Sequence, residues 1–285
     1  MTTVLVTTAT GQIGSALVPM LAERGTTVRA MTRRTPAPGV VDARAEVAVA
    51  DLDDTGSLRA ALDGVDALFL NTPSSQHAAE QQIRAADLAA AAAVRRVVLL
   101  SQLAADEDSP VRFLRWHARV ERHLGTLPLE VVVLRPNLFL QGLLAIAPAI
   151  REHGTLGAPI GDARISMVDT RDIAAVAATV LLDDGHAGAV HTLTGPAAVT
   201  HTQAARAIAA ATGTPVEFRD LSEARFAAVL DGVLPAWQID GLLEDYAHYR
   251  RGEAAAVDPA VPEILGRPAL DLAAFARHHR RAFGG

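Results

Sequence analysis

Two short stretches in the first half of the chain hold residues whose types and spacing could do chemistry. The first is V-L-V-T-T-A-T-G-Q-I-G-S-A-L-V-P-M-L, from Val4 to Leu21. Val4, Leu5 and Val6 read as a buried strand, and Ala16, Leu17, Met20 and Leu21 as the inner face of a helix. Between them, Gly11 would let the backbone approach a pyrophosphate, and Gly14 would let the helix pack on the strand. The helix start would then offer unpaired N–H groups and a partial positive charge to phosphates. The usual spacing of such a turn places glycine at position 8, where this chain has Thr8. The competing reading is a helix simply capped by Thr10 or a neighbour. The second stretch, F-L-R-W-H-A-R-V-E-R-H-L, sets His117 and Glu121 four residues apart on one helical face. His117 could relay a proton near neutral pH while Glu121 orients the ring. Its alternative is a local hydrogen bond, or a histidine packed against a sheet.

Composition removes several chemistries. The 285 residues include no cysteine, which excludes disulfides, thiolate catalysis and cysteine-held metals. All 26 basic residues are arginine, so Schiff-base chemistry and any lysine-dependent catalytic pair are excluded too. Ten histidines include His278 and His279 on a basic last helix, but no metal-binding spacing occurs, and no metal is expected. A net charge of −6 argues against general affinity for nucleic acid or an anionic membrane. No apolar run reaches the roughly 18 residues of a membrane span, and the N-terminus reads as the start of the fold rather than a signal peptide. A cytoplasmic protein acting on a small molecule is therefore expected, with a homodimer as the assembly to consider.

The elements that must position these residues follow from periodicity. Apolar strands near 3–7, 27–31, 45–49, 67–71, 96–101 and 130–134 alternate with helices near 13–24, 57–62, 79–93 and 110–125. Such alternation implies a parallel sheet covered on both faces. Beyond residue 136 the spacing predicts a helix over 139–153, a Gly/Pro-rich segment over 154–162 and a strand over 165–168. A helix over 170–182 and a last strand over 190–193 return to the main sheet. Helices over 201–212, 223–230 and 236–249, a short strand over 216–219 and a terminal helix over 271–283 complete the chain. The fold class expected is α/β, a doubly wound parallel-sheet Rossmann fold with a small C-terminal α/β part. The core would span 1–150 and the covering part 151–285, with about 165–195 rejoining the core sheet.

The stretches T-A-T-G-Q-I-G at 8–14, A-D-L-D-D at 50–54, L-R-P-N-L-F at 134–139, D-T-R-D-I-A at 169–174 and I-L-G-R-P at 264–268 together resemble the NmrA-like branch of the atypical short-chain dehydrogenase/reductases. That branch includes NAD(P)H azoreductases and type 2 quinone oxidoreductases. The resemblance implies that Thr8, Thr10, Gly11, Gln12 and Ile13 cradle the pyrophosphate. Arg33 and Arg34 follow the second strand, where an NAD site usually carries an acid, and arginine there can pair with a 2′-phosphate. NADPH is thus expected, with NADH less favoured. The alternative is two solvated arginines at a loop edge. Asp51 and Leu52 would face the adenine, Asn71, Thr72 and Pro73 the nicotinamide ribose, and Ser101 and Gln102 the end of the fifth strand. Pro136, Asn137 and Phe139 would shape the nicotinamide pocket. Leu138, Leu143, Leu144 and Met167, with Phe226, Trp237, Tyr246 and Tyr249 of the C-terminal region, are the candidates for covering an apolar substrate. Asp169, Arg171 and Asp172 read as caps and a structural ion-pair set.

The Tyr-x-x-x-Lys signature of short-chain dehydrogenases is absent, since the corresponding helix has no tyrosine and the chain no lysine. Catalytic candidates are therefore His117, Glu121 and Ser101. The expected activity is NAD(P)H-dependent reduction of a flat aromatic or quinone-like molecule that needs little acid help. Two alternatives are an NADP(H)-binding redox sensor without turnover, and a non-redox isomerase or cyclase.

Overall fold

Strand β1 (Thr3–Val6) feeds α1 (Gly14–Glu23), and β2 (Thr27–Thr32), β3 (Glu46–Val49) and α2 (Thr55–Leu62) follow. Next come β4 (Ala67–Leu70), α3 (Ala78–Ala91), β5 (Arg96–Leu100), α4 (Arg112–Leu124) and β6 (Glu130–Pro136). The remainder is α5 (Gly142–Ala145), α6 (Ala147–His153), β7 (Thr155–Ala158), α7 (Thr170–Leu182), β8 (Val190–Leu193) and α8 (His201–Thr212). The chain ends with β9 (Glu217–Asp220), α9 (Glu223–Leu230), α10 (Ala236–Arg250), α11 (Ala260–Leu265), α12 (Leu272–His278) and a 3₁₀ turn. This computed structural model describes residues 2–285.

Two compact units divide the chain. The first comprises the chain up to Glu107, Leu114–Arg135 and Thr170–Thr192. The second comprises Asp108–Phe113, Pro136–Asp169 and Leu193–Gly285, so residues 136–150 fall in the second unit rather than in the core assigned to 1–150.

In the first unit a seven-stranded sheet runs in the order β3-β2-β1-β4-β5-β6-β8. The pairings of β1 with β2 and β4, of β2 with β3, and of β5 with β4 and β6 are all parallel. Strand β1 sits where the order reverses, which leaves a crevice beside its carboxyl end. Strands β4 and β5 are buried along their whole length, as expected of a sheet covered on both faces. Leu58, Leu62, Leu88 and Ala85 from α2 and α3 close one face over Leu5, Leu68 and Val97. Asp54 caps α2 by accepting from the N–H groups of Gly56 and Ser57, at 3.0 and 3.3 Å.

One buried cation was not anticipated. Arg96, 1% exposed on β5, donates to the carbonyls of Val180 (3.1 Å) and Asp183 (2.6 Å) at the end of α7. It also donates to Glu130 at 3.0 Å and Asp184 at 3.1 Å. The guanidinium thus caps the α7 carbonyls and ties that helix to the sheet.

The second unit departs more from expectation. The Gly/Pro-rich segment contains β7, which pairs in parallel with β9 as a separate two-stranded sheet. Leu156 and Ala158 are buried there, and a Cβ on Gly157 would lie 2.9 Å from Leu221 Cδ1, so glycine permits the close packing. The expected strand over 165–168 makes only isolated bridges, Ile165 with Val199 and Val168 with Phe139. The expected helix over 139–153 is two helices that break at Ile146, where a proline at the start of α6 cannot continue the preceding turn. The terminal helix breaks at His279, and α11 was not foreseen. Among the described residues, no helix is long and apolar enough to cross a membrane.

Candidate functional site

The turn after β1 is built around Thr8, whose φ of +53° lies in the left-handed region that usually selects glycine. Its hydroxyl donates to the Asn71 carbonyl at 3.0 Å, which ties the strained turn to the end of β4. Thr7 does the same from the preceding position. Its Oγ1 accepts from Asn71 N at 2.8 Å and donates to Asn71 O at 2.7 Å. Threonine at position 8 therefore keeps the turn that glycine would give, by adding a cross-strand bond.

Two glycines are then required by space. A Cβ on Gly14 would lie 2.4 Å from Thr8 O and 2.7 Å from Ala9 Cα, both backbone atoms. A Cβ on Gly11 would lie 3.0 Å from Thr8 Cγ2 and 3.2 Å from Thr8 O. Gly11 N donates to Thr8 O at 2.9 Å, closing the turn. The residue preceding α1 is Ile13, and no side chain caps the helix. This corrects the reading in which Thr10 serves as a cap: Thr10 and Gln12 are exposed, and the helix start has no side-chain acceptor of its own. Such an end suits an external anion.

Around this turn the other candidates fall at strand ends. Arg33 and Arg34 follow β2 and are exposed, and the Arg34 carbonyl accepts from Thr32 Oγ1 at 2.9 Å. Among the described residues, neither guanidinium has an ion-pair partner. Asp51 ends β3, where its Oδ1 accepts from Asp53 N at 3.0 Å, and Leu52 is buried beside it. Thr72 accepts from Gln82 Nε2 at 3.1 Å, and Pro73 is exposed. Ser101 and Gln102 follow β5, and Ser101 N donates to Leu134 O at 2.8 Å.

The helix pair differs from its expected arrangement. Glu121 does not orient His117. Its carboxylate receives Arg135 through Nε at 3.0 Å and a terminal nitrogen at 2.5 Å, and it also accepts the Ser101 hydroxyl. His117 has a buried Nδ1 without a hydrogen-bond partner. Burial pushes its imidazole down to about 4, against the opposing charge of Glu121, so the ring is neutral near pH 7 rather than poised to titrate there. Arg135 was missed as a site residue. Its signal was a charge at the end of an apolar strand, V-V-V-L-R-P, where an unpaired cation would be costly.

In the second unit, Asn137 spends its side chain internally. Its Nδ2 donates to Ser166 Oγ at 2.8 Å and Ala254 O at 2.9 Å, while its Oδ1 accepts from Leu138 N at 2.8 Å. Both N–H donors of that amide are thus spent within the protein. Pro136 is buried, and Phe139 is half-buried and bridged to Val168. Asp169, fully buried, accepts from Gln141 Nε2 at 2.8 Å. The aromatic residues pack on one another: Phe226 lies edge-on to Tyr246, and Tyr246 to Tyr249, at 5.1 and 6.0 Å. Burial and the Asp245 charge push the Tyr246 phenol up to about 12. Met167, with Leu140, Val199 and Ala207, lines an apolar cleft of about 240 Å³. Among the described residues, no group of three or more histidine or carboxylate side chains is placed to hold a metal.

Comparison with known proteins identifies the family and the fold. Residues 1–263 match the model of the NmrA-like family. The chain is 35% identical to the NAD(P)H azoreductase of Xenophilus azovorans, over 99% of each sequence. It is 32% identical to quinone oxidoreductase 2 of Escherichia coli, covering 96% of this chain and 98% of that one. The crystal structure of the E. coli NADPH-dependent quinone oxidoreductase complexed with NADPH superposes with a TM-score of 0.85 at 31% identity, covering 96% of this chain and 99% of that one.

Proposed function

The chain belongs to the NmrA-like family, and from that premise we propose that it is an NADPH-dependent reductase of a small, flat aromatic or quinone-like molecule. The observation that carries the reading is the turn after β1: a helix start that no side chain caps, packed so closely that Gly14 admits no Cβ. The N–H groups of Gln12, Ile13 and Gly14 would hold the diphosphate, since those of Ser15, Ala16 and Leu17 already donate to the carbonyls of Gly11 and Ile13. Arg33 and Arg34 would receive the 2′-phosphate, which favours NADPH over NADH. Asn71, Thr72 and Ser101 would face the nicotinamide half.

When bound, the dinucleotide supplies hydride. The chain adds no strong acid at these strand ends. Ser101 directs its hydroxyl hydrogen at Glu121, His117 is neutral with a depressed pKa, and no lysine exists to tune a phenol. The oxidants that suit such a site are those whose reduction needs little general-acid help, with water as the proton source. Quinones and azo compounds are of this kind. We place the protein in the cytoplasm, acting on a small molecule without nucleic acid or membrane.

Titration with NADPH and NADH, followed by a quinone and azo-dye panel, tests the reading. NADPH binding with oxidation by the panel supports it. Binding without turnover transfers the assignment to a redox sensor, and turnover of a substrate without any nicotinamide transfers it to non-redox chemistry.

A further inference from the structure

We propose that Glu121 and Arg135 fix Ser101 as a hydrogen-bond acceptor for the nicotinamide half of the dinucleotide, rather than as a proton donor to the oxidant. The assignment rests on the cofactor reading above. A serine hydroxyl carries one hydrogen, and here that hydrogen is directed at a carboxylate oxygen of Glu121. The carboxylate group only accepts, so the hydroxyl has one direction to point. Arg135 pins the same carboxylate in place through two parallel N–H donors, at 3.0 and 2.5 Å, in the bidentate geometry that guanidinium and carboxylate share. The Glu121 side chain is 11% exposed, so water does little to loosen the pair. What Ser101 Oγ retains is lone pairs.

The placement of the serine says which ligand group meets them. Strand order β1-β4-β5-β6 puts the end of β5 on the side of the switch point away from β2 and β3. In a doubly wound sheet the two halves of a dinucleotide lie on opposite sides of that point, at the carboxyl edge. With Arg33 and Arg34 after β2 taking the adenosine half, Ser101 belongs to the other half. That half carries donors, the ribose hydroxyls and the carboxamide N–H. An oxidant's carbonyl or azo nitrogen carries only acceptors, which Ser101 would repel. Glu121 and Arg135 are thus positioning residues, acting through the serine.

The test compares NADPH with adenosine 2′,5′-bisphosphate, which lacks the nicotinamide half, by calorimetric titration of the full chain. Ser101→Ala should bind NADPH about five- to tenfold more weakly, the loss of one neutral hydrogen bond, with bisphosphate affinity unchanged. Glu121→Gln provides the second variant. Its amide N–H₂ can donate to Ser101 and turn the hydroxyl outward as a donor, so NADPH affinity should fall by a similar factor. The double variant should lose no more than either single one, a coupling that separate structural damage would not give. NADPH affinity within twofold of the unaltered protein in Ser101→Ala, equal losses for both nucleotides, or additive losses would overturn the assignment. If the unaltered protein binds neither nucleotide, the cofactor reading itself falls and takes this assignment with it.

Discussion

Gly14→Ala offers the sharpest test of the turn, because an identical change at Gly142 serves as its control. Both glycines are the first residue of a helix, α1 and α5 respectively. At Gly142 an added Cβ meets nothing within 4 Å. At Gly14 it meets Thr8 O at 2.4 Å, Ala9 Cα at 2.7 Å and Ala9 C at 2.9 Å, three backbone atoms that no rotamer change can move. Ordinary contact begins near 3.4 Å, so the helix start must retreat from the turn by about 1 Å. Overpacking of this kind costs about 1–3 kcal/mol. Alanine's better helix propensity returns about 1 kcal/mol, leaving a net loss of roughly 0–2 kcal/mol. The larger effect falls on the cofactor. A shift of this size takes N–H groups out of hydrogen-bond range of a phosphate, and each charge-assisted bond is worth about 1.5–3 kcal/mol. NADPH should therefore bind at least about tenfold more weakly in Gly14→Ala by fluorescence titration. Gly142→Ala should keep its affinity and gain a few tenths of a kcal/mol in stability. Equal NADPH affinity in the two variants, with equal thermal midpoints, would refute the placement of the phosphates at α1.

Three further outcomes follow from named contacts. Arg33→Ala/Arg34→Ala should weaken NADPH binding about tenfold or more while leaving NADH affinity within twofold, and parallel losses would remove the 2′-phosphate from these residues. Arg96→Met should strip the α7 carbonyls of their donor and lower stability by about 2–4 kcal/mol, read as a thermal midpoint roughly 5–15 °C lower. His201, 2% exposed with no partner at Nδ1, is held neutral by burial with its pKa down at about 4. An unfolded imidazole near 6.5 binds the proton first, so stability is full above about pH 6.5 and declines as pH falls toward 4. At pH 5 this one ring should cost roughly 2 kcal/mol. His201→Phe should flatten that part of the denaturation profile, and an unchanged slope between pH 7 and 5 would show that the ring does not contribute.

Much of the fold and part of the site are legible in the sequence because they depend on local rules. Val4–Val6, the wholly apolar β4 and β5 and the alternation with helices imply a parallel sheet, since each signal lies within one short window. Gly14 is legible for the same reason. The two-stranded sheet of β7 and β9 is not, because its strands are short and about sixty residues apart in sequence. Pairing at that distance leaves no periodic trace.

The candidate site divides along the same line. Sequence alone determines what is absent, the lysine and the tyrosine of the usual proton-donating pair, and it places a glycine-bearing turn between β1 and α1. It also sets His117 and Glu121 one helical turn apart. Only the tertiary structure decides what each of them does. Glu121 is taken by Arg135, fourteen residues on in β6, and by Ser101, twenty residues back just past β5. His117 is left in a pocket that disfavours its charge. Thr8 breaks the glycine pattern yet keeps the turn through a bond to Asn71, sixty-three residues away. Hydrogen-bond partners and desolvation are properties of three-dimensional neighbours, and a linear pattern carries residue types without saying which of them will meet.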